Sequence, residues 1–245
     1  MREVTLQAKG VTPIMLHGMG VKAVLVLGKF IKSDEKAPAT PDEACRRAVY
    51  VDEEGFIVLP TDNLASASVA AGQKVKIGSP QRQISTADTT DLFSYFNLLG
   101  DYIRILDADG KPIPFPQEGE PSPWVVDVRR GVGYNSKTPT AICVVRPKFA
   151  LWGFETTLTY NERELPRGKF VELLQQAARK GLGSFRPSKG RGRYGVWKPI
   201  RVDEVTIPDE ADDLIITLDG KEVDLKAEPI LATPKKGRKT KEVAA

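Results

Sequence analysis

Histidine is almost absent: His17 is the one imidazole in 245 residues. That excludes a histidine-built metal site and leaves a single candidate acid/base of this type. Cysteine is nearly as scarce. Cys45 and Cys143 lie far apart without CxxC spacing, which excludes a disulfide framework and a cysteine zinc site and reads as two small core residues. No apolar run approaches the ~20 residues of a membrane-spanning helix, so no membrane is expected as a partner. The phosphate-binding pattern GxxxxGK[ST] is missing, as is any Ser/His/Asp order or metal-ligand cluster. The reading calls for no cofactor and no metal. The opening Met1-Arg2-Glu3 passes straight into an alternating pattern, unlike a secretory signal. The expected location is the cytoplasm of a bacterial, archaeal or phage-infected cell.

Acid is missing where base is dense. From Arg179 to Arg201 there are eight basic residues and no acidic one, and Lys235–Lys241 holds five more and no acid. Taking those charges from the net +4 leaves −9 for the remainder. An acidic body with positive charge gathered into two short segments suits a polyanionic partner.

The pattern of elements predicts an α+β fold. Glu3–Val11 alternates as a strand, with Val4, Leu6 and Ala8 on one side. Val21–Phe30 reads as a second strand. Pro41, Asp42 and Glu43 start a short helix through about Val49. Phe56–Leu59 is a strand, and Thr61-Asp62 caps a small-residue helix over Asn63–Ala71 that stops at Gly72. Leu92–Leu99 fits strand or helix equally. Tyr102–Leu106 is a strand, Asp107–Pro123 a turn-rich loop, and Val125–Arg129 a strand again. Ala141–Arg146 and Trp152–Tyr160 alternate as two strands. Pro166 fits the first turn of a helix whose Phe170, Leu173, Leu174 and Ala177 form one apolar face up to Gly181. Tyr194–Val202 returns as a strand. Strand, strand, helix, loop and strand make half of a ferredoxin-like domain with an antiparallel sheet. The expected organisation is one domain over residues 1–202 with an insertion around 73–140. A strand-bearing appendage over 203–231, with a turn at Asp219-Gly220, and a disordered basic tail over 232–245 follow it.

The segment Gly181–Gly195 carries the chemistry. Five of its glycines let backbone approach a ligand and expose N–H groups. Arg186, Lys189, Arg191 and Arg193 supply charge for phosphates, flanked by Arg179, Lys180 and Lys198. Phe185, Tyr194 and Trp197 offer faces for bases. The plainer reading is a solvated connector, against which stands the lack of any compensating acid.

This loop, GLGSFRPSKGRGRYG between an amphipathic helix and a strand, resembles the glycine-rich loop of the RAMP superfamily, the RNA-binding Cas5, Cas6 and Cas7 proteins of CRISPR systems. Ile57-Val-Leu-Pro60-Thr-Asp-Asn-Leu64-Ala-Ser-Ala is similar to the strand–Pro–helix element of Cas7-like members. Gly10-Val-Thr-Pro-Ile-Met-Leu-His17 resembles the opening of phage-borne proteins of the same layout. The helix over Asn63–Gly72 departs from the Cas7-like pattern in carrying no basic residue. The resemblance implies a ferredoxin-like (RRM-like) core that presents single-stranded RNA. It also implies side-by-side assembly, as a homo-oligomer or in a multi-subunit ribonucleoprotein.

Three functions remain in view. The first is a non-catalytic, Cas7-like binder of single-stranded RNA or DNA, with Arg186, Lys189, Arg191 and Arg193 on phosphates and Phe185 and Tyr194 on bases. The second is a Cas6-like, metal-independent endoribonuclease with His17 as general acid/base. The third is a structural or assembly protein, phage-borne, whose basic loop meets an acidic protein surface. The pairs Glu53-Glu54 and Asp212-Asp213 read as exposed turn charges. Asp88, Asp91 and Asp101 share a polar stretch that gives only a weak metal-nuclease reading.

Overall fold

The computed structural model describes residues 1–18, 38, 40–135, 138–188, 192–206, 216–218 and 221–223, with side chains left aside at 131–142 and in the last two segments. The strand expected at Val21–Phe30, the turn at Asp219-Gly220 and the tail over 232–245 lie outside the described residues. The chain divides into two units, Met1–Ile207 and Pro208–Ala245.

The first unit is built on a seven-stranded sheet. At one end of it β1, Arg2–Gly10, lies between β11, Gly153–Tyr160, and the edge strand β12, Trp197–Thr206. Beyond β11 come β8, Tyr102–Leu106, then β4, Ile57–Pro60, and β3, Tyr50–Val51; the short β7, Phe96–Leu98, also pairs with β11. Every pairing is antiparallel. Helix α2, Asp62–Gly72, lies between β1 and β8 in the chain, and α3, Arg167–Lys180, between β11 and β12. The order β12–β1–β11–β8 is therefore the fourth, first, third and second strand of a β-α-β-β-α-β unit, the ferredoxin-like arrangement. The fold is α+β, with β3 and β4 extending the sheet.

Alternation makes the core. Val4, Leu6 and Ala8 are buried on one face of β1 and stand opposite Leu158, Thr156 and Phe154 of β11. Helix α3 lays Phe170, Leu173, Leu174 and Ala177 into the same hydrophobic cluster. Its Phe170 ring stacks on Tyr160 at 4.1 Å and 2°, a pair worth about 0.5–1.5 kcal/mol beyond area burial. Helix α2 packs against α3 through its small residues; Ala67, Ser68 and Ala71 are buried.

Several elements differ from expectation. Ala141–Arg146 is not a neighbour of β11. It belongs to β10, Thr138–Phe149, which forms a long hairpin with β9, Val125–Asn135. Together with β2, Ile14–Met15, the hairpin makes a separate three-stranded sheet. The second core strand is β8 instead, with Phe154 facing Ile105 and Gly153 facing Leu106. Leu92–Leu99 is both things: a 3-10 turn at Leu92–Ser94, then β7. Helix α1, Pro41–Arg47, starts as expected, capped by the Thr40 hydroxyl on the Glu43 amide, and ends two residues early. Thr61 stands at the N-cap of α2 without a side-chain cap bond, while Asp62 and Gly72 lie inside the helix. β12 begins at Trp197 and runs on to Thr206. Trp197 is 2% exposed, edge-on to Phe154 at 5.1 Å, so it is core and offers no face to a base.

In the second unit, β13, Ile216–Leu218, and β14, Lys221–Val223, pair as an antiparallel hairpin.

Candidate nucleic-acid interface

The glycine loop is closed on itself and on the start of the chain. Leu182 N–H donates to Gly195 carbonyl at 2.9 Å and Tyr194 N–H to Phe185 carbonyl at 3.2 Å. Ser184 N–H reaches Met15 carbonyl and Gly195 N–H reaches Pro13 carbonyl, both at 2.8 Å. These amides are used within the chain, so the loop does not present them to a ligand as its glycine content suggests. Glycine is required by the closeness of the walls: at Gly183, φ 71, a Cβ would lie 2.5 Å from Met15 carbonyl oxygen, and at Gly195, φ 70, 1.9 Å from that of Leu182.

The loop's best-placed arginine faces inward. Arg186 is 7% exposed. Its Nη1 donates to Asn63 Oδ1 and its Nη2 to Ser66 Oγ, each at 3.1 Å. Its Nε is buried without a partner, and it has no ion pair among the described residues. Burial pushes its pKa down, yet a guanidinium stays charged at neutral pH. The expectation that Arg186 lies open to phosphates is thereby corrected. It is a buried cation that gives helix α2 the basic group its own sequence lacks.

What the loop does present is Phe185 and Tyr194, and both rings meet arginines of the β9–β10 hairpin. The Arg146 guanidinium carbon sits 4.3 Å from the Phe185 centroid. Arg129 lies 5.4 Å from Phe185 and 4.9 Å from Tyr194, and its Nη2 donates to the Tyr194 hydroxyl. The result is a ladder, Arg146, Phe185, Arg129, Tyr194, held by cation–π contacts. At least one face of each ring is taken by an arginine rather than left for a base. Phe185 has φ 52, the one non-glycine residue with positive φ among those described, a conformation that costs of order 1–3 kcal/mol.

Asp127 is the carboxylate of this cluster. It lies directly across from Arg146 in the hairpin register, and Arg129 and Lys148 follow at the next positions on the same face. Asp127 accepts both Arg129 Nε and Nη2, the latter at 3.0 Å, and meets Lys148 Nζ at 3.6 Å. The Arg129 contact, with Lys148 behind it, holds the Asp127 carboxyl below the usual carboxylate range. Arg146 Nε and Nη1 are buried without partners, and burial pushes this guanidinium's pKa down. Tyr194 is held below the usual phenol range by Arg129 and then Arg193.

His17 is exposed and bonds to nothing among the described residues. Desolvation, with the nearby Arg146 charge, holds its imidazole below the ordinary value. Arg193, Arg179 and Lys198 are exposed and Lys180 is half-buried; Lys189 and Arg191 lie outside the described residues. Arg129, Arg146 and Lys148 were missed from sequence because the hairpin was not recognised. Alternate-position basic residues on two facing strands are the signal that carries them.

The three segments singled out in the sequence converge here: Gly10–His17 supplies carbonyls to the loop, and Asn63 and Ser66 hold its arginine. No protein-family model matches the sequence. No curated protein matches it. Among solved structures, the fold is similar to a chain in the cryo-EM structure of the Type III-B Cmr-beta bound to cognate target RNA, with a TM-score of 0.41 and 10% identity. The match covers 83% of this chain and 60% of that one, so this chain spans less than two thirds of its length.

Among the described residues, no three His, Cys, Asp or Glu side chains gather as a metal site, and no helix is long and apolar enough to cross a membrane.

Proposed function

We propose that this protein binds single-stranded nucleic acid, RNA foremost, by its phosphate backbone, on the face formed by the β9–β10 hairpin and the glycine loop. The observation that carries the reading is the charge imbalance of the ladder. Arg129, Arg146 and Lys148 gather around one carboxylate, Asp127, Arg193 adds a further cation beside Tyr194, and Arg146 keeps two buried donor atoms unpaired. Unpaired buried N–H groups are costly in a fold that gains nothing from them, of order 1–3 kcal/mol each. A strained aromatic at the centre, Phe185, points the same way, since such outliers gather at ligand sites.

On this reading Arg129, Arg146, Arg193 and, from the flanks, Arg179, Lys180, Lys189, Arg191 and Lys198 meet phosphates. Arg186 is a positioning residue that fixes the loop to α2. The chain is a RAMP-like, Cas7-like protein that works beside further copies or within a ribonucleoprotein. Filter binding of single-stranded RNA, single-stranded DNA and duplex tests this: single strands bind more tightly than duplex, and Arg146→Ala weakens them without altering the fold. Equal binding of all three by wild type and variant alike refutes it.

One observation favours a second reading. His17 is exposed, held neutral and set beside Arg146, which suits a base and a charge stabiliser for attack by a 2′-hydroxyl. Cleavage of RNA by wild type and not by His17→Ala would establish it.

A further inference from the structure

Helix α2 has a second neighbour besides Arg186. Its first turn closes one side of a cleft of about 480 Å³ against β7 and β8. Thr61, Asp62, Phe93, Asn97, Asp101 and Tyr102 line it, and no Lys, Arg or His does. Phe93 is 50% and Tyr102 54% exposed, so both rings are open to a ligand within the one cleft. Thr61 is 8% exposed, and its Oγ1 is buried with no hydrogen-bond partner. Asp62 and Asp101 are exposed and carry no ion pair among the described residues.

We infer that this cleft receives one unstacked nucleobase of the bound strand, guanine in preference. The inference rests on the function proposed above. Two carboxylates and no cation repel a phosphate. Aromatic walls suit a flat neutral ring, since stacking on a ring is worth about 1–3 kcal/mol per base. The two carboxylates, Asp62 and Asp101, are acceptors only and select a base edge rich in donors. Guanine presents its ring N–H and amino group side by side, the pair a carboxylate takes with both oxygens. Uracil presents one N–H between two carbonyls and pairs poorly with carboxylates. Asn63 and Ser66, which hold Arg186, alternate along α2 with Asp62 and Ala65, which line the cleft. Phosphate grip and base pocket thus share one helix about 10 Å across.

The test compares a uridine-only RNA with the same RNA carrying one guanosine or one inosine, which lacks the amino group. Wild type, Asp101→Asn and Phe93→Ala are measured; both side chains are exposed, so the fold tolerates their loss. Guanosine is expected to tighten wild-type binding about tenfold, inosine less, and both variants to bind all three alike at the uridine level. Equal wild-type affinities for the three RNAs, or a guanosine preference that survives in both variants, overturns the cleft and leaves the backbone grip standing. Failure of every RNA to bind overturns both.

Discussion

Arg186 Nη1 donates to Asn63 Oδ1 at 3.1 Å, joining residues 123 positions apart in the chain. The bond ties the glycine loop to a helix that has no basic residue of its own, and it does so with a guanidinium that lacks a carboxylate partner. A double-mutant cycle with Arg186→Met and Asn63→Ala is expected to give a coupling of about 0.5–3 kcal/mol. Replacing a buried cation by a packed apolar chain is often neutral or stabilising. Arg186→Met is therefore expected to hold or raise the melting temperature while reducing single-strand affinity about tenfold. A fall of more than about 3 kcal/mol in stability would instead make Arg186 a structural strut of the core.

The loop's glycines differ sharply from the glycine of helix α3 in what replacement does. Gly183→Ala and Gly195→Ala place a methyl group against carbonyls 2.5 and 1.9 Å away, at positive φ. Each is expected to lower stability by about 2 kcal/mol or more. Gly168→Ala, in the first turn of α3 with open space around it, is expected to add up to about 1 kcal/mol. Chemical denaturation of the three variants checks the contrast, and equal effects would mean the loop is not held as described.

Much of this was legible in the sequence. The period-3.6 face of α3 and the period-2 face of β1 were plain, because burial on one side leaves polar residues on the other. The loop itself was legible from glycine and arginine content. The hairpin was not: Val125–Arg129 and Ala141–Arg146 were visible as short strands, but not their extension to Val125–Asn135 and Thr138–Phe149, nor the register that sets Asp127 opposite Arg146. Without that register Arg129, Arg146 and Lys148 do not meet. Nor does sequence tell an inward arginine from an outward one, and Arg186 is inward because Asn63 and Ser66 offer acceptors beneath the loop.

His17 gives the interface a pH dependence. Its folded pKa lies below the ordinary value near 6.5, through desolvation and then Arg146. The imidazole is neutral at pH 7 and gains its proton as pH falls through and below that value. Protonation adds charge beside the phosphates, so single-strand affinity is expected to rise over that interval, and His17→Gln to flatten the rise. For the free protein the sign reverses: a depressed histidine pKa favours the neutral form, so stability falls as pH drops from the unfolded pKa through the folded one. Affinity profiles from pH 8 to pH 5, with identical slopes for wild type and His17→Gln, would remove His17 from the interface.

The arginine ladder is most directly tested by salt. Single strands release about 0.7 counterion per phosphate neutralised. With Arg129, Arg146, Arg193 and the five flanking cations engaged, the slope of log affinity against log salt is expected to be about −6 for wild type. Removing one contact with Arg146→Gln should make it shallower by about 0.7 while the melting temperature holds. A wild-type slope near zero, or the same slope in the variant, would contradict the account.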